Sequence, residues 1–362
     1  MAAGLGDGSE ERVKQLLFSW PIGIALAALS ACGGSSGVEP AAQPGRSSLT
    51  VYVTNEASGD MTIIDAGSNT VIATIPLGKR PRGIQLSPDK QKLYVALSGS
   101  PFAGPGVDRD TLPPADKEAD GIGVFDIGRN KLDRILGGGS DPEQLAVSAD
   151  GGKIYVANED VGLASVLDIA SDRILKTLPV GEEPEGVAIS PDGSTVYVTS
   201  ESDSEIFVID TAGDTILKSF KVGYRPRAAA FSPDGSRAYV TSESGASVAV
   251  VDTAGHEVIH TIEMTGENVR PMGVVVSPDG KRFYVSTGRG RMIVAFDAAS
   301  YQELGSVEVG IRPWGIAITP DGKTLYTANG PSNDVSVVDL ETMKVITKIP
   351  AGDRPWGVAI AP

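Results

Sequence analysis

The chain has 362 residues, a formal net charge of −15 and a single cysteine. A charge this negative argues against general binding to nucleic acids, because their phosphates would be repelled. One cysteine excludes an internal disulfide, and no apolar run after the N-terminus reaches the roughly eighteen residues of a membrane-spanning helix. The fold must therefore rest on core packing, which a chain of this length can supply.

The N-terminus predicts an exported, lipid-anchored protein. Arg12 and Lys14 precede an apolar stretch at residues 16–28, and the letters LSAC follow at residues 29–32. This pattern resembles a bacterial lipobox, so we expect residues 1–31 to be a lipoprotein signal peptide and Cys32 to be lipidated. Residues 32–48 then form the lipidated cysteine and a flexible tether. We expect a periplasm-facing protein of the cell envelope, on the outer rather than the inner membrane, which touches the membrane only through this lipid.

A cycle of about 42 residues runs through the remaining chain. A tyrosine marks each unit, and a proline in a turn recurs at a fixed distance before the tyrosine of the next unit. From each proline to the next tyrosine is always 13 residues, although one tyrosine interval is 61 residues long. The tyrosines are Tyr52, Tyr94, Tyr155, Tyr197, Tyr239, Tyr284 and Tyr326, and the prolines are Pro81, Pro142, Pro184, Pro226, Pro271, Pro313 and Pro355. A period of this size indicates a repeat architecture built from one supersecondary unit.

Each unit predicts four strands. In the last full repeat, GIAIT, TLYTAN, DVSVVD and KVITKI are short, rich in β-branched residues and separated by turns such as PDG. Seven such units predict an all-β, seven-bladed β-propeller of four-stranded antiparallel blades over residues 49–362. The first repeat lacks its first strand, and residues 354–362 carry one. We therefore expect the C-terminal strand to complete the first blade beside residues 49–55.

The crossovers between blades predict a binding face, because the loops on one face of a propeller converge on its central channel. Two neighbouring crossovers are acidic, with Glu143 and Glu185, whereas the other five are basic or aromatic. The predicted basic and aromatic residues of this face are Arg80, Arg82, Arg227, Arg270, Arg312, Trp314, Arg354 and Trp356. Guanidinium groups beside tryptophans suit a planar anion or a carboxylate-bearing partner surface. Alternatively, the arginines before proline are repeat-consensus residues that bond to carbonyls of neighbouring blades.

Glutamates in the loop after the second strand should lie on the same face. They are Glu56, Glu159, Glu201 and Glu243. Carboxylates at such positions could hold a cation. Ion pairs with the arginines of adjacent loops are the favoured interpretation, since those arginines lie in the neighbouring turns.

One blade carries an insertion, at about residues 98–121. A long loop beside a channel is typical of a lid or docking arm. Its carboxylates (Asp108, Asp110, Asp116, Glu118 and Asp120) could hold calcium, but the EF-hand spacing is absent, which favours a solvated loop. A smaller excess of three residues lies at 265–268.

Enzymatic signatures are mostly missing. His256 and His260 are the only histidines, and both belong to an outer hairpin, away from the expected channel face. No C-x-x-C-H haem motif occurs. The residues therefore predict no catalytic group, no metal site and a protein that is not an enzyme.

The YVTN letters at residues 52–55, together with SPDG and VSVVD, resemble the YVTN β-propeller repeats over residues 49–362. Segments such as GSDPEQLAVSADG, VGEEPEGVAISPDG and RPWGVAI are most similar to the PQQ-dependent catabolism-associated β-propeller subfamily. The resemblance implies a periplasmic accessory role in alcohol oxidation that depends on pyrroloquinoline quinone (PQQ). It implies as partner a PQQ-dependent dehydrogenase or its cytochrome, with PQQ itself a candidate ligand. We expect a monomer without nucleic-acid partners.

Two other functions remain open. Seven-bladed propellers that cleave sugar lactones exist, but such a lactonase needs a histidine or glutamate as general base in the channel, and only glutamates are available there, which counts against it. Loss of lactone hydrolysis in Glu143→Gln or Glu185→Gln would support that alternative. A cell-surface interaction or adhesion module is the other candidate.

Overall fold

Seven sheets of four antiparallel strands make up the chain in the computed structural model, which describes residues 49–102 and 111–362. The predicted signal peptide, the lipidation of Cys32 and the tether lie outside these residues. No helix in the described ranges is both long and apolar enough to cross a membrane.

The first four sheets follow the repeat in chain order. The strands of blades 1 and 2 are β1 (Thr50–Asn55), β2 (Asp60–Asp65), β3 (Thr70–Pro76), β4 (Pro81–Leu86), β5 (Lys92–Leu97), β6 (Gly121–Asp126) and β7 (Lys131–Leu136). Those of blades 3 and 4 are β8 (Pro142–Val147), β9 (Lys153–Asn158), β10 (Leu163–Asp168), β11 (Arg173–Pro179), β12 (Pro184–Ile189), β13 (Thr195–Ser200), β14 (Glu205–Asp210) and β15 (Thr215–Lys221).

The remaining sheets continue the same order. The strands of blades 5 and 6 are β16 (Pro226–Phe231), β17 (Arg237–Ser242), β18 (Ser247–Asp252), β19 (Glu257–Glu263), β20 (Val274–Val276), β21 (Arg282–Ser286), β22 (Met292–Asp297) and β23 (Glu303–Glu308). Blade 7 and the final strand are β24 (Pro313–Ile318), β25 (Thr324–Asn329), β26 (Asp334–Asp339), β27 (Lys344–Pro350) and β28 (Pro355–Ala361).

The C-terminal strand closes the ring, as the sequence predicted. β28 pairs antiparallel with β1, so that Tyr52 lies opposite Ala359 and Val51 opposite Ile360. The innermost strands of successive blades pack against one another all the way round, and β28 contacts both β24 and β4. The innermost edges therefore face the channel. An edge that was open to bulk solvent would promote aggregation.

The repeated tyrosine is explained by packing between blades. Each ring is almost completely buried, and several hydroxyl groups bond to a turn of the next blade. Tyr155 donates to Asp214 Oδ1 at 2.7 Å, and the Tyr197 hydroxyl lies 2.7 Å from His256 Nδ1. The tyrosine thus fills the space between sheets with an apolar ring and satisfies its one polar group at the far side.

Both irregularities of the repeat are visible. The long insertion joins β5 to β6, and its described part contains a short 3-10 helix at Lys117–Ala119. The three-residue excess precedes β20, which is only three residues long, whereas the other inner strands begin at the crossover proline. Proline can stand at that position because an innermost strand needs no ladder bond from its first N–H.

Candidate functional site

The crossovers and the loops after the second strands surround one cavity of about 390 Å³. Twelve of the fourteen residues predicted for this face line it: Glu56, Arg80, Arg82, Glu143, Glu159, Glu185, Glu201, Arg227, Arg312, Trp314, Arg354 and Trp356. Arg270 and Glu243 do not, although the Arg270 guanidinium lies 3.5 Å from the Glu243 carbonyl oxygen. The repeat places these side chains together because the same position of every blade faces the same end of the channel.

In six of the seven crossovers the residue before the proline has an unusual backbone. Arg80, Arg225, Arg312 and Arg354 have φ between 39° and 57°, and Asp141 and Glu183 behave alike. This left-handed conformation is uncommon for residues other than glycine. It turns the chain sharply into the innermost strand, so the positions before and after the proline both lie at the cavity. In blade 6 the positive φ moves to Asn268, which explains why Arg270 departs from the pattern.

Arg82 is the centre of an acidic cluster on blade 3. Its side chain is 2% exposed, and it pairs with Asp141 at 2.6 Å, with Glu143, and with Glu159 at 3.3 Å. Burial opposes the ionisation of Asp141, but Arg82 and a hydrogen bond from Ser98 outweigh it and hold its pKa below the usual value. Arg82 therefore balances buried carboxylates, and although it lines the cavity its side chain is almost completely buried.

Glu159 differs from the other carboxylates of that cluster. Its side chain is 20% exposed and lines the cavity. Only Oε2 approaches Arg82, and Oε1 accepts no hydrogen bond from any part of the chain that the structure describes. Burial raises the pKa of Glu159, and Arg82 only partly offsets this effect. One oxygen of a carboxylate with a raised pKa is thus free to meet a ligand or water.

Arg227 forms the corresponding cluster on blades 4 and 5. It pairs with Glu185, with Glu201 at 2.5 Å and with Glu243 at 2.5 Å. Burial raises the pKa of Glu201 to about 7, against the opposing effect of Arg225, which also pairs with it. For Glu243, Arg227 outweighs burial and the pKa is lowered.

These contacts decide between the interpretations of the glutamate loops. Glu56, Glu159, Glu201 and Glu243 all form ion pairs with arginines, so the ion-pairing interpretation is confirmed. Among the described residues, no group of three or more His, Cys, Asp or Glu side chains is placed to hold a metal ion. In the insertion, Asp116 pairs with Lys79 at 2.6 Å and Asp120 accepts the backbone N–H of Gly99, while Asp108 and Asp110 lie outside the described residues.

The opposite half of the cavity is basic and aromatic. Trp314 and Trp356 stack with ring centroids 5.6 Å apart, and the Arg312 guanidinium lies 4.8 Å from the Trp314 ring centroid. Arg354 stacks in the same manner on Phe102, at 4.3 Å. Within the described ranges neither arginine has a carboxylate oxygen within 4.0 Å. No carboxylate in the described part of the chain pairs directly with these charges, and their N–H edges can receive an anion.

Some residues of the cavity were not predicted. The insertion contributes Ser100, Pro101, Phe102, Leu112, Pro113 and Ala115 to its wall. Only the position of the insertion beside the channel pointed to them, since nothing in its letters resembles the repeat. The histidines lie elsewhere, as expected: His256 contacts Tyr197, and His260 stacks on Tyr301 with centroids 5.0 Å apart.

A family model for "Lactonase, 7-bladed beta-propeller" matches residues 215–349, which run from the start of β15 into β27 and make up less than half of the chain. No curated protein matches the chain.

Solved structures share the fold at low sequence identity. Hydrazine synthase of Kuenenia stuttgartiensis has a TM-score of 0.65 at 22% identity over 76% of this chain and 88% of its own. A "putative 6-phosphogluconolactonase" from Bacteroides fragilis NCTC 9343 has a TM-score of 0.69 at 22% identity, covering 90% of this chain and 100% of its own. A protein of the same description from Bacteroides uniformis ATCC 8492 has 0.69 at 21%, covering 86% and 99%.

The lactonase match overturns the prediction that the protein is not an enzyme. That prediction rested on the lack of a histidine or cysteine near the channel. A buried carboxylate can take the role of a base when burial raises its pKa, and Glu159 has that property. The chain is a seven-bladed propeller whose residues 215–349 match a lactonase-family model, and the YVTN and PQQ assignment stays a prediction from the sequence.

Proposed function

We propose that the protein is a hydrolase that opens lactones in the charged cavity. The proposal is carried by the environment of Glu159. Its side chain opens into the cavity, and its Oε1 accepts no hydrogen bond within the described structure. Its pKa is raised. The lactonase-family match over residues 215–349 supports the same class of reaction.

Glu159 acts as the general base in this mechanism. Its carboxylate takes a proton from a water molecule, whose oxygen attacks the lactone carbonyl carbon and forms a tetrahedral oxyanion. The carbonyl re-forms as the ring C–O bond breaks, and the leaving alkoxide takes up the proton, so that lactone and water yield one hydroxy acid. Arg82, 3.3 Å from Glu159 Oε2, holds the base in place. The raised pKa of Glu159 makes its carboxylate a stronger base than that of an exposed glutamate.

Arg312 and Arg354 are proposed to bind a negative substituent of the lactone. They carry charge without a carboxylate partner in the described structure, and their stacking on Trp314 and Phe102 leaves their N–H edges available. The stacked Trp314 and Trp356 rings offer an apolar surface for the carbon face of a sugar ring. The names of the two Bacteroides neighbours make 6-phosphogluconolactone the first substrate to test.

The test measures acid release from 6-phosphogluconolactone in a pH-stat, with the spontaneous rate subtracted. Glu159→Gln should lower kcat by roughly 100-fold or more, as removal of a general base does. Glu243→Gln is the matched control, because Glu243 occupies the same repeat position but lies outside the cavity lining. Equal losses in both variants, or no loss in Glu159→Gln, would contradict the assignment of the base. Wild-type hydrolysis no faster than the spontaneous rate, for this lactone and for glucono-δ-lactone, would contradict the proposed function.

The buried glutamates considered from the sequence are less suitable bases. Glu143 pairs with Arg82 and Glu185 pairs with Arg227, and both side chains are less than a tenth exposed. We therefore expect Glu143→Gln and Glu185→Gln to reduce stability more than they reduce the chemical step.

Location and partners rest on the sequence. The lipobox supports the proposal that this hydrolase is anchored through Cys32 and faces the periplasm. Labelling with a fatty-acid precursor, compared between wild type and Cys32→Ser, tests it, and equal labelling of the two would contradict it. An accessory role in PQQ-dependent alcohol oxidation, a dehydrogenase or cytochrome partner and a monomeric state stay predictions.

A further inference from the structure

The insertion of blade 2 supplies part of the cavity wall. Its described ends bring Phe102 and Leu112 to the cavity, beside arginines that belong to other parts of the ring. The repeat itself contains no equivalent of these side chains. Any role of the insertion at the site is therefore particular to this chain rather than a property of the propeller.

Phe102 contacts one of the two cavity arginines that lack a carboxylate partner in the described structure. The Arg354 guanidinium lies 4.3 Å from the Phe102 ring centroid. Arg354 precedes β28, so the contact joins the insertion of blade 2 to the crossover that closes the ring into blade 1. Stacking on one face of a guanidinium restricts its rotation while its N–H groups stay free in the plane.

The described ends of the insertion are held firmly to the ring. Arg80 donates to the Ser100 carbonyl oxygen at 3.0 Å, and the Gly99 N–H donates to Asp120 Oδ1 at 2.7 Å. Asp120 Oδ2 in turn accepts the Asp141 N–H at 3.0 Å. The backbone beside Phe102 is thus tied both to a cavity arginine and to the acidic crossover. These bonds fix the backbone two residues before Phe102, whose ring lies against Arg354.

We propose that Phe102 is the positioning residue of the anion subsite, and that it makes the enzyme discriminate between charged and neutral lactones. This inference rests on the proposed function for its substrate class. Phe102 holds the Arg354 guanidinium so that its N–H edge meets the anionic substituent of the bound lactone, next to Arg312. A lactone without such a substituent gains nothing from this arrangement.

The experiment compares Phe102→Ala, Phe102→Tyr and Leu112→Ala. Leu112 lines the same cavity but stacks on no arginine, so Leu112→Ala is the matched control. KM and kcat are measured with 6-phosphogluconolactone and with neutral glucono-δ-lactone. Independently of turnover, binding of 6-phosphogluconate is followed through tryptophan emission, because Trp314 and Trp356 both line the cavity.

Phe102→Ala should raise both KM for the phosphorylated lactone and Kd for 6-phosphogluconate about tenfold, the loss expected for a partly desolvated cation–π contact. Its kcat should stay within about twofold, and KM for the neutral lactone should be unchanged within the same range. Phe102→Tyr should bind 6-phosphogluconate like the wild type because the aromatic face is kept. Leu112→Ala should leave the preference for the phosphorylated over the neutral lactone unchanged.

The outcomes separate this inference from the proposed function. If the wild type binds 6-phosphogluconate and Phe102→Ala weakens that binding, but no lactone is hydrolysed, the hydrolase proposal fails and the anion subsite stands. If lactones are hydrolysed but Phe102→Ala leaves Kd unchanged, or Leu112→Ala has the same effect as Phe102→Ala, the role of Phe102 is refuted. Absence of any 6-phosphogluconate binding by the wild type also refutes it.

Discussion

Replacing Arg82 by methionine tests the electrostatic account of the site most directly. The substitution keeps much of the side-chain volume but removes the charge that Asp141, Glu143 and Glu159 share. Because Arg82 is 2% exposed, water cannot replace it. Removing one partner of a buried ion pair costs about 3–5 kcal/mol of folding free energy, since the remaining charge stays buried without compensation.

The expected loss depends on pH. In the wild type Arg82 holds the pKa of Asp141 below its usual value, so ionised Asp141 stabilises the folded state above the pKa of the unfolded chain. Without Arg82 the buried carboxylates bind protons more tightly in the folded than in the unfolded state. The destabilisation is then full at about pH 8 and is partly relieved at about pH 5, where these groups protonate on folding.

The assay is thermal unfolding at those two pH values. A loss of about 4 kcal/mol lowers the melting temperature by roughly 6 °C in a domain of this size. Arg354→Met is the control, because Arg354 lines the same cavity and has no carboxylate within 4.0 Å in the described structure; its Tm should change little. A loss below about 1 kcal/mol for Arg82→Met, or one that is equal at both pH values, would refute the reasoning.

Three further results are expected. Burial raises the pKa of Glu159, and the base must be ionised, so kcat should fall as pH drops through that raised pKa; a flat profile down to about pH 4.5 would exclude Glu159 as the base. The pKa of Glu201 is raised to about 7, so its contribution to stability is present at low pH and is lost as pH rises toward that value. The Tm of the wild type relative to Glu201→Gln should accordingly decrease from about pH 5 to about pH 8, and a constant difference would contradict this assignment. A chain truncated before β28 (Pro355–Ala361) leaves β1 as an open edge, so it should aggregate or lose its cooperative thermal transition, whereas removal of Pro362 alone should do neither.

The repeat explains why so much of the architecture was predictable. A strand pattern that recurs every 42 residues can bury its apolar faces only by stacking copies of itself. Tyr52 and its six equivalents, together with the missing first strand of the first repeat, were enough to predict seven blades and their closure by β28. The shared face of Arg312, Trp314 and Glu159 follows from the same logic, because equal repeat positions lie at equal places in the ring.

Which of these charges is free to act was decided only by the tertiary structure. Arg82, which is buried, meets the partly exposed Glu159, 77 residues away, at a junction between blades. Arg354 meets Phe102 across the closure of the ring, and the insertion that carries Phe102 has no repeat pattern from which its course could be read. Periodicity specifies the face on which a side chain lies, whereas its partner, its burial and therefore its pKa depend on distances of a few ångströms between distant parts of the chain.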